Sequence, residues 1–210
     1  MANVLIVLLG VSLIAAQEYQ LPTAPQKRAP VVKAPTMAQL PAVPGRGLKD
    51  VPNIAIKYYD VSGKDFAAII QSIEKQRPRD AATNQLMAGG AGWSLGASMT
   101  QRSVGGKCTV TGLKPDFSAT AELPRLVNEQ ALKPDQLASW QAYLSNIEVP
   151  AAAGLWFVLD RLPTFEKSII GKECAAAAAL APAAIEQLKQ DHAAFELKQA
   201  TAAAAAAAAK

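Results

Sequence analysis

The first part of the chain alternates between patterns typical of strands and of helices. Residues 53–61 (NIAIKYYDV) are rich in β-branched and aromatic side chains, which favours a strand. Ser62 is expected to begin a helix, with Asp65 three residues later as its capping-box partner. Pro78 is expected to end this helix, because proline cannot continue it. The apolar face of the helix recurs at helical spacing and consists of Phe66, Ile69, Ile70 and Ile73.

Two long strands are predicted next, after a glycine-rich turn at residues 89–92. Residues 93–102 and 107–123 each carry a strand pattern, and Gly105 and Gly106 are expected to join them in a hairpin. The second strand has apolar residues at every other position, which predicts one buried face and one solvent-facing face. These alternating residues are Phe117, Ala119, Ala121 and Leu123.

Helices are predicted for the second half of the chain. Pro134 is expected to open a helix that continues to Ile147, and Pro150 is expected to interrupt it. A dense apolar run, LWFVLDRL, follows at residues 155–162 and is expected to stop at Pro163.

The chain is expected to end in one long helix followed by a tail. The helix is predicted from about Gly171 to Thr201, whereas the alanine-rich tail at residues 202–210 has nothing to pack against and is expected to fray. The pattern therefore predicts an α+β fold, with an N-terminal strand and helix, then antiparallel strands, then C-terminal helices. It predicts a single domain over residues 53–201.

The N-terminal residues show the pattern of an export signal. Residues 4–16 form a run of about 13 apolar or small side chains, which is shorter than the ~20 residues that a membrane-spanning helix needs. We expect residues 1–16 to be a cleaved signal peptide. An uncleaved segment that anchors the protein in the membrane is the alternative.

Residues 17–52 are expected to form a proline-rich, basic linker. They contain seven of the fourteen prolines, a density that favours extended polyproline II structure. They also carry +3 of the formal net charge of +4. Because this charge lies in a tether and not on a folded face, we predict no nucleic-acid partner. The tether is expected to be a solubilising spacer, and contact with anionic polymers of the cell envelope is the alternative.

The two cysteines favour an oxidising compartment. Cys108 and Cys174 both fall in predicted structured segments, which in an exported chain favours one disulfide between them. Two buried free thiols are the alternative. A disulfide would agree with a periplasmic or secreted location in bacteria.

A set of motifs along the chain resembles the bacterial domain-of-unknown-function 922 family. The motifs are the opening Tyr58-Tyr59-Asp60-Val61-Ser62-Gly63, Trp93 in a strand, Cys108, the strand end Leu123-Pro124, Trp140 and Cys174. The resemblance covers about residues 54–200 and implies a relative of secreted zinc-dependent proteases.

The chain departs from the family pattern where the zinc site should lie. Family members carry HExxH about ten residues after the tryptophan that matches Trp140, since two histidines four residues apart on a helix can bind zinc and the glutamate can polarise a water. Residues 148–154 read EVPAAAG here and contain no histidine. The resemblance therefore implies a degenerate, non-catalytic member, a pseudoenzyme with no metal site and no cofactor.

Other catalytic interpretations are weaker. His192, the one histidine, shares a helical stripe with Leu188 and Phe195, which is typical of a packed core residue. Residues 92–96 match the G-x-S-x-G pattern, but a predicted strand at that position is not the strand-to-helix turn that a nucleophilic serine requires. If the chain were still a zinc peptidase, its unrecognised ligands would come from Glu148, Asp160, Glu166 and His192.

The apolar run after Pro150 replaces the expected metal helix. One interpretation is that it fills the emptied cleft as core. The other is an exposed patch for a protein partner or a membrane surface, formed by Leu155, Trp156, Phe157 and Leu159. Three functional hypotheses follow: a non-catalytic binding or accessory domain of the envelope, a zinc peptidase with unrecognised ligands, and an anchored structural subunit of a membrane complex.

Overall fold

The computed structural model describes residues 43–79 and 86–208. The predicted signal peptide and the linker as far as residue 42 lie outside these residues. Three strands and four α-helices follow in the order strand, helix, strand, strand and three helices. They are β1 (Ile54–Val61), α1 (Phe66–Gln76), β2 (Gly90–Val104), β3 (Lys107–Leu126), α2 (Pro134–Leu159), α3 (Leu162–Ile169) and α4 (Cys174–Ala208).

The strands form one mixed sheet in the order β1-β3-β2. Strands β2 and β3 are an antiparallel hairpin, turned by Gly105 and Gly106, whose φ angles of 58° and 79° lie in the left-handed region that glycine tolerates. Strand β1 pairs with β3 in parallel, with Tyr58 opposite Leu123. The chain therefore has the α+β fold that the sequence predicts, with helices concentrated in its C-terminal half.

Helix α1 begins four residues later than predicted. Asp65 is its N-cap residue and not the partner of a cap at Ser62, because Asp65 has an extended backbone (φ −152°) and its carboxylate accepts a hydrogen bond from the Ala68 N–H at 2.8 Å. The prediction of a cap at Ser62 was wrong by one turn.

Helix α2 runs through Pro150 without a break, so the predicted interruption was wrong. Proline removes one backbone donor from a helix, but buried residues on both sides of Pro150 pack the helix against the rest of the domain. Trp140 is buried before it, and Leu155 and Val158 are buried after it. Pro163 does not stop a helix either, since it lies in the first turn of α3, where its missing N–H costs nothing.

Helix α4 begins at Cys174 and not at Gly171. Gly171 has a φ of 84°, and its N–H donates to the Val110 carbonyl at 2.8 Å, so this short segment runs beside β3 before the helix begins. The alanine-rich stretch that we expected to fray continues α4 as far as Ala208.

The main core lies between the inner face of the sheet and the helices. It contains the alternating residues of β3 together with Leu155 and Val158 of α2 and Leu188 of α4. Leu48 and Val51 are 5% and 3% exposed and belong to the same core, although the sequence analysis assigned them to the linker. The folded unit therefore begins before residue 48, and the last residues of the predicted linker are part of it.

The stretch from Pro134 to Ile169, which contains α2 and α3, is long and apolar enough to cross a membrane by length and composition. Core helices of folded domains, which are mostly buried, meet the same criteria, but only 22% of the apolar window of this stretch is buried. Here Trp140, Leu155, Val158 and Phe165 of this stretch are buried against the sheet and neighbouring helices.

A disulfide joins the start of β3 to the start of α4. Cys108 and Cys174 are bonded with their Cα atoms 5.5 Å apart, as predicted. The hydrogen bonds between Val110 and the segment before α4 lie beside this link, including the Val110 N–H to the Lys172 carbonyl at 2.9 Å. The disulfide is compatible with an oxidising, extracytoplasmic location.

Candidate functional site

An apolar groove of about 340 Å³ lies between α2, α4 and the segment that precedes β1. We call it the α2 groove. Its floor and walls are mainly aliphatic and aromatic, and the charged groups lie at its rim. The lining residues that matter below are Val43, Val149, Ala153, Trp156, Phe157 and Phe195.

Residues 43–50, which we call the strap, are fastened across one side of the groove. Arg46 makes a two-pronged ion pair with Asp160, with nitrogen–oxygen distances of 2.7 and 3.0 Å, and its guanidinium lies 5.1 Å from the centre of the Trp156 ring. The Trp156 Nε1–H also donates to the Gly47 carbonyl at 3.4 Å. The strap is therefore held to the C-terminal end of α2 by side-chain contacts at Arg46 and a backbone contact at Gly47.

Two stacked aromatic rings form one wall of the groove. Phe157 of α2 and Phe195 of α4 lie with their centroids 4.4 Å apart and their planes inclined by 24°. Arg161 covers the other side of Phe157, with its guanidinium carbon 3.4 Å from the ring centre. Both faces of the Phe157 ring are therefore covered within the chain.

His192 lies next to this wall, in the contact between α2 and α4. It is 9% exposed and packs edge-on against Trp93 of β2 at 5.7 Å and at a tilt against Phe157 at 6.2 Å. Its ring also forms a hydrogen bond with the backbone of Gly154. Its Nδ1 is 3.7 Å from the Glu196 carboxylate, one turn further along α4. The prediction that His192 is a packed residue of the α4 stripe agrees with this burial.

Burial lowers the pKa of His192 below its ordinary value of 6.5, because the charged imidazolium loses hydration in the core. The Glu196 carboxylate and the hydrogen bond with Gly154 both oppose this shift by favouring the protonated ring. The net direction is downward, so His192 is neutral at pH 7.

Gly154 is the last residue of the EVPAAAG segment of α2, at residues 148–154. A Cβ atom at this position would lie 2.9 Å from Nε2 of His192, closer than such contacts allow. The imidazole of His192 therefore fills the space that any side chain at residue 154 would need. A histidine side chain at position 154 and the imidazole of His192 cannot both occupy this space.

The residues named as unrecognised ligands lie on three helices. Glu148, in the middle of α2, and Asp160, which follows the last residue of α2, line the α2 groove, and Asp160 forms an ion pair with Arg46. Glu166 is on α3 and does not line the groove, while His192 on α4 lies 3.7 Å from the Glu196 carboxylate. Within residues 43–79 and 86–208, no cluster of three or more His, Cys, Asp or Glu side chains is placed to hold a metal ion.

The predicted partner patch divides into core and groove. Leu155 is 1% exposed and belongs to the core, and Leu159 is half-buried against that core. Trp156 and Phe157 are half-buried and line the groove. Phe195 and the strap were not predicted from the sequence, because their part in the site depends on α4 and residues 43–50 meeting α2 in space.

The G-x-S-x-G match lies within a regular strand. Ser94 is in β2, paired across the hairpin with Ser118, and the two hydroxyl oxygens are 2.8 Å apart. A strand position of this kind lacks the sharp turn that exposes a nucleophilic serine.

The family model described as "Bacterial protein of unknown function (DUF922)" matches residues 56–202, which is more than half of the chain. The chain belongs to this family, as its motifs indicated. Neither the comparison with curated proteins nor that with solved structures yields a match.

Proposed function

We propose that this protein is a non-catalytic member of its family that is exported to the bacterial cell envelope and binds a protein partner through the α2 groove. It would act as an accessory or binding domain. The predicted export signal and the disulfide between Cys108 and Cys174 support the location.

The observation that carries this proposal is the packing of His192 against Gly154. Two helical histidines four residues apart are needed to bind zinc in the HExxH arrangement. Here α2 has Pro150 and Gly154 at two positions that are four residues apart, and the imidazole of His192 fills the space beside Gly154. This packing supports the proposal, because it occupies the space that a side chain at one of the two expected ligand positions would need.

The groove has the composition of a surface that binds apolar side chains. Aromatic residues dominate the energetics of protein interfaces when they lie in a partly desolvated pocket with a polar rim. Trp156, Phe157 and Phe195 supply the aromatic surface, and the ion pair of Arg46 with Asp160 lies at the rim. A leucine-sized or aromatic side chain of a partner fits this chemistry.

The test is purification of the protein from native envelopes in mild detergent, followed by measurement of the molar mass and composition of what is recovered. We expect a discrete complex larger than the monomer. Trp156→Ala should remove the partner, whereas Leu197→Ala, at a 69% exposed position on α4, should leave the complex intact. The melting temperatures of both variants establish that they are folded.

Two results would overturn the proposal. One is a wild-type protein recovered only as a monomer. The other is a purified protein with one bound zinc ion per chain, or with a chelator-sensitive peptidase activity that His192→Ala abolishes.

A further inference from the structure

Strand β2 lies at an edge of the sheet and is long for an edge strand. It pairs with β3 along one side, and no strand within residues 43–79 and 86–208 pairs with its other side. Its 15 residues compare with about five or six in an ordinary strand. An unpaired edge of this length presents a row of backbone N–H and C=O groups that a further strand can pair with.

The usual protections of an edge strand are absent from most of β2. Residues 90–100 (GAGWSLGASMT) contain no charged side chain and no proline, which are the residues that keep natural edges from pairing. The register with β3 is regular as far as Thr100, and its one irregularity lies between Thr100 and Gln101. Arg102, the one charged residue of β2, follows that irregularity. Residues 90–100 are therefore a regular, uncharged edge with Leu95 at its centre.

The hydrogen bonds of β3 show which residues of β2 face the free edge. The Ala119 N–H donates to the Asn53 carbonyl at 3.2 Å, on the β1 side of β3, so the backbone groups of the next residue, Thr120, point towards β2. Thr120 is opposite Gly92, which therefore bonds to β3. Because these directions alternate along a strand, the odd-numbered residues from Ala91 to Met99 turn their N–H and C=O groups to the free edge.

This edge is complementary to itself about a two-fold axis at Leu95. In an antiparallel pair of two β2 strands, Leu95 lies opposite Leu95 of the second copy, and Trp93 lies opposite Ala97, a large side chain beside a small one. On the other face of the sheet Ser94 lies opposite Gly96. No charge meets a like charge anywhere along residues 90–100. A surface that matches itself in this way is what an isologous interface requires.

The apolar cluster beneath this edge is incompletely covered in the single chain. Leu95 and Met99 are only half-buried, and they pack in the same cluster as Ala184 and Ile185 of α4. Residues 174–185 of α4 (CAAAAALAPAAI) carry no charged side chain. A second copy paired along β2 would therefore add to the burial of this cluster without having to desolvate a charge on this part of α4.

We propose that two copies of this chain form a symmetric dimer, in which their β2 strands pair antiparallel about Leu95 and join the two sheets into one continuous sheet. No residue of β2 lines the α2 groove, so the dimer surface is separate from that groove. The inference therefore goes beyond the proposed function and holds with or without a second protein.

The first test is sedimentation of the purified, disulfide-bonded protein over a wide range of concentrations. We expect a species of twice the mass of one chain. Ala97→Pro should be monomeric, because proline removes a donor that faces the free edge while the bonds of Gly96 and Ser98 with β3 remain. Ala97→Ser is the matched control, since it keeps the donor, and should form the dimer. The melting temperatures of both variants establish that they are folded.

A second test examines the register and does not depend on the folding of a proline variant. Ser94 and Gly96 bond to β3, so across the axis they form a non-hydrogen-bonded pair with Cα atoms about 4.5 Å apart, which a disulfide can span. A mixture of Ser94→Cys and Gly96→Cys should form a cross-linked dimer under mild oxidation. Ser118→Cys is the control, because Ser118 lies opposite Ser94 on β3, one strand away from the edge. It should not cross-link to Gly96→Cys.

Three outcomes would overturn this inference. The first is a wild-type protein that sediments as a monomer at every concentration. The second is a folded Ala97→Pro variant that dimerises as the wild type does, which would assign the dimer to another surface. The third is a mixture of Ser94→Cys and Gly96→Cys that cross-links no better than the Ser118→Cys control. The proposed function is tested separately, because it requires a different protein in the complex recovered from envelopes.

Discussion

Gly154 is the residue that sets how closely α2 and α4 approach. Because it lacks a side chain, the ring of His192 reaches the α2 backbone and packs between Trp93 and Phe157. A glycine inside a helix is destabilising by about 0.5–1 kcal/mol relative to alanine. The contact with His192 is the structural reason why alanine cannot replace it without a rearrangement.

We predict that the effect of Gly154→Ala changes sign with the residue at position 192. In the wild-type background the added methyl group overlaps the imidazole, and the free energy of unfolding should fall by about 1–3 kcal/mol. In a His192→Ala background the space is free, and Gly154→Ala should raise the free energy of unfolding by about 0.5–1 kcal/mol. Urea unfolding of the four proteins measures this coupling. An equal effect in both backgrounds would show that the two residues do not compete for space.

A second prediction concerns pH. Because burial lowers the pKa of His192 in the folded state, the unfolded state binds the proton first as the pH falls. The contribution of His192 to the free energy of unfolding should be at its full value above about pH 6.5, the ordinary pKa of histidine. It should decrease as the pH falls from 6.5 towards the pKa of His192 in the folded state. Since this is the one histidine, its NMR signal gives the folded pKa directly.

The control for the pH prediction is His192→Gln. In this variant the free energy of unfolding should no longer decrease between pH 6.5 and the folded pKa of His192. Glu196→Gln removes the carboxylate that favours the charged ring, and should lower the folded pKa further. A folded pKa above 6.5 would mean that Glu196 and the hydrogen bond with Gly154 outweigh burial.

At the scale of elements, α2 contacts several separate parts of the domain. It contacts both long strands, α4 and the strap, and it does so over 26 residues with a proline in the middle. Pro150 costs the helix one backbone hydrogen bond, and the packing of Trp140 on one side and Leu155 on the other outweighs that loss.

We therefore predict that Pro150→Ala stabilises the protein. An interior proline is about 3 kcal/mol less favourable in a helix than alanine, and we expect the free energy of unfolding in urea to rise by about 1–3 kcal/mol. Pro134→Ala is the matched control, because Pro134 lies in the first turn of the same helix and costs it no hydrogen bond. A loss of stability in Pro150→Ala would show that the proline ring itself contributes to packing.

The elements were predictable where local pattern and tertiary packing agree. The alternation from Phe117 to Leu123 predicted which face of β3 is buried, and the Gly105-Gly106 turn predicted the hairpin. The boundary at Pro150 was wrong, because a local rule for proline was outweighed by distant contacts. The parallel pairing of β1 with β3 and the burial of Leu48 depend on how separate segments meet, which periodicity does not encode.

The candidate site was predictable only in part for the same reason. Trp156 and Phe157 stood out as a cluster within one segment and do line the α2 groove. Phe195 and Arg46 come from the far ends of the domain, so nothing in their local sequence indicated that they meet α2.

At the scale of the whole molecule, the disulfide closes a long loop in the middle of the fold. Cys108 and Cys174 are 66 residues apart in sequence, and β3, α2 and α3 lie between them. In the chain-entropy description, closing a loop of this length stabilises the folded state by about 4 kcal/mol.

We predict that Cys108→Ser with Cys174→Ser lowers the free energy of unfolding by about 4 kcal/mol. Reducing agent should produce the same loss in the wild-type protein and none in the double variant, which makes the reduced wild type a matched control. Urea unfolding with and without reductant measures both effects. A loss below about 1 kcal/mol would mean that the bond adds little to the neighbouring hydrogen bonds at Val110.

The disulfide also determines how the protein would respond to mechanical tension. If the two ends of the chain are pulled apart, the load at the N-terminal side enters through the strap and then through β1, an edge strand that pairs with β3. The chain between the two cysteines forms a covalent ring, which the disulfide bypasses under this load. About 220 Å of contour length is thereby excluded from extension, so only the parts of the chain outside the ring can be drawn out.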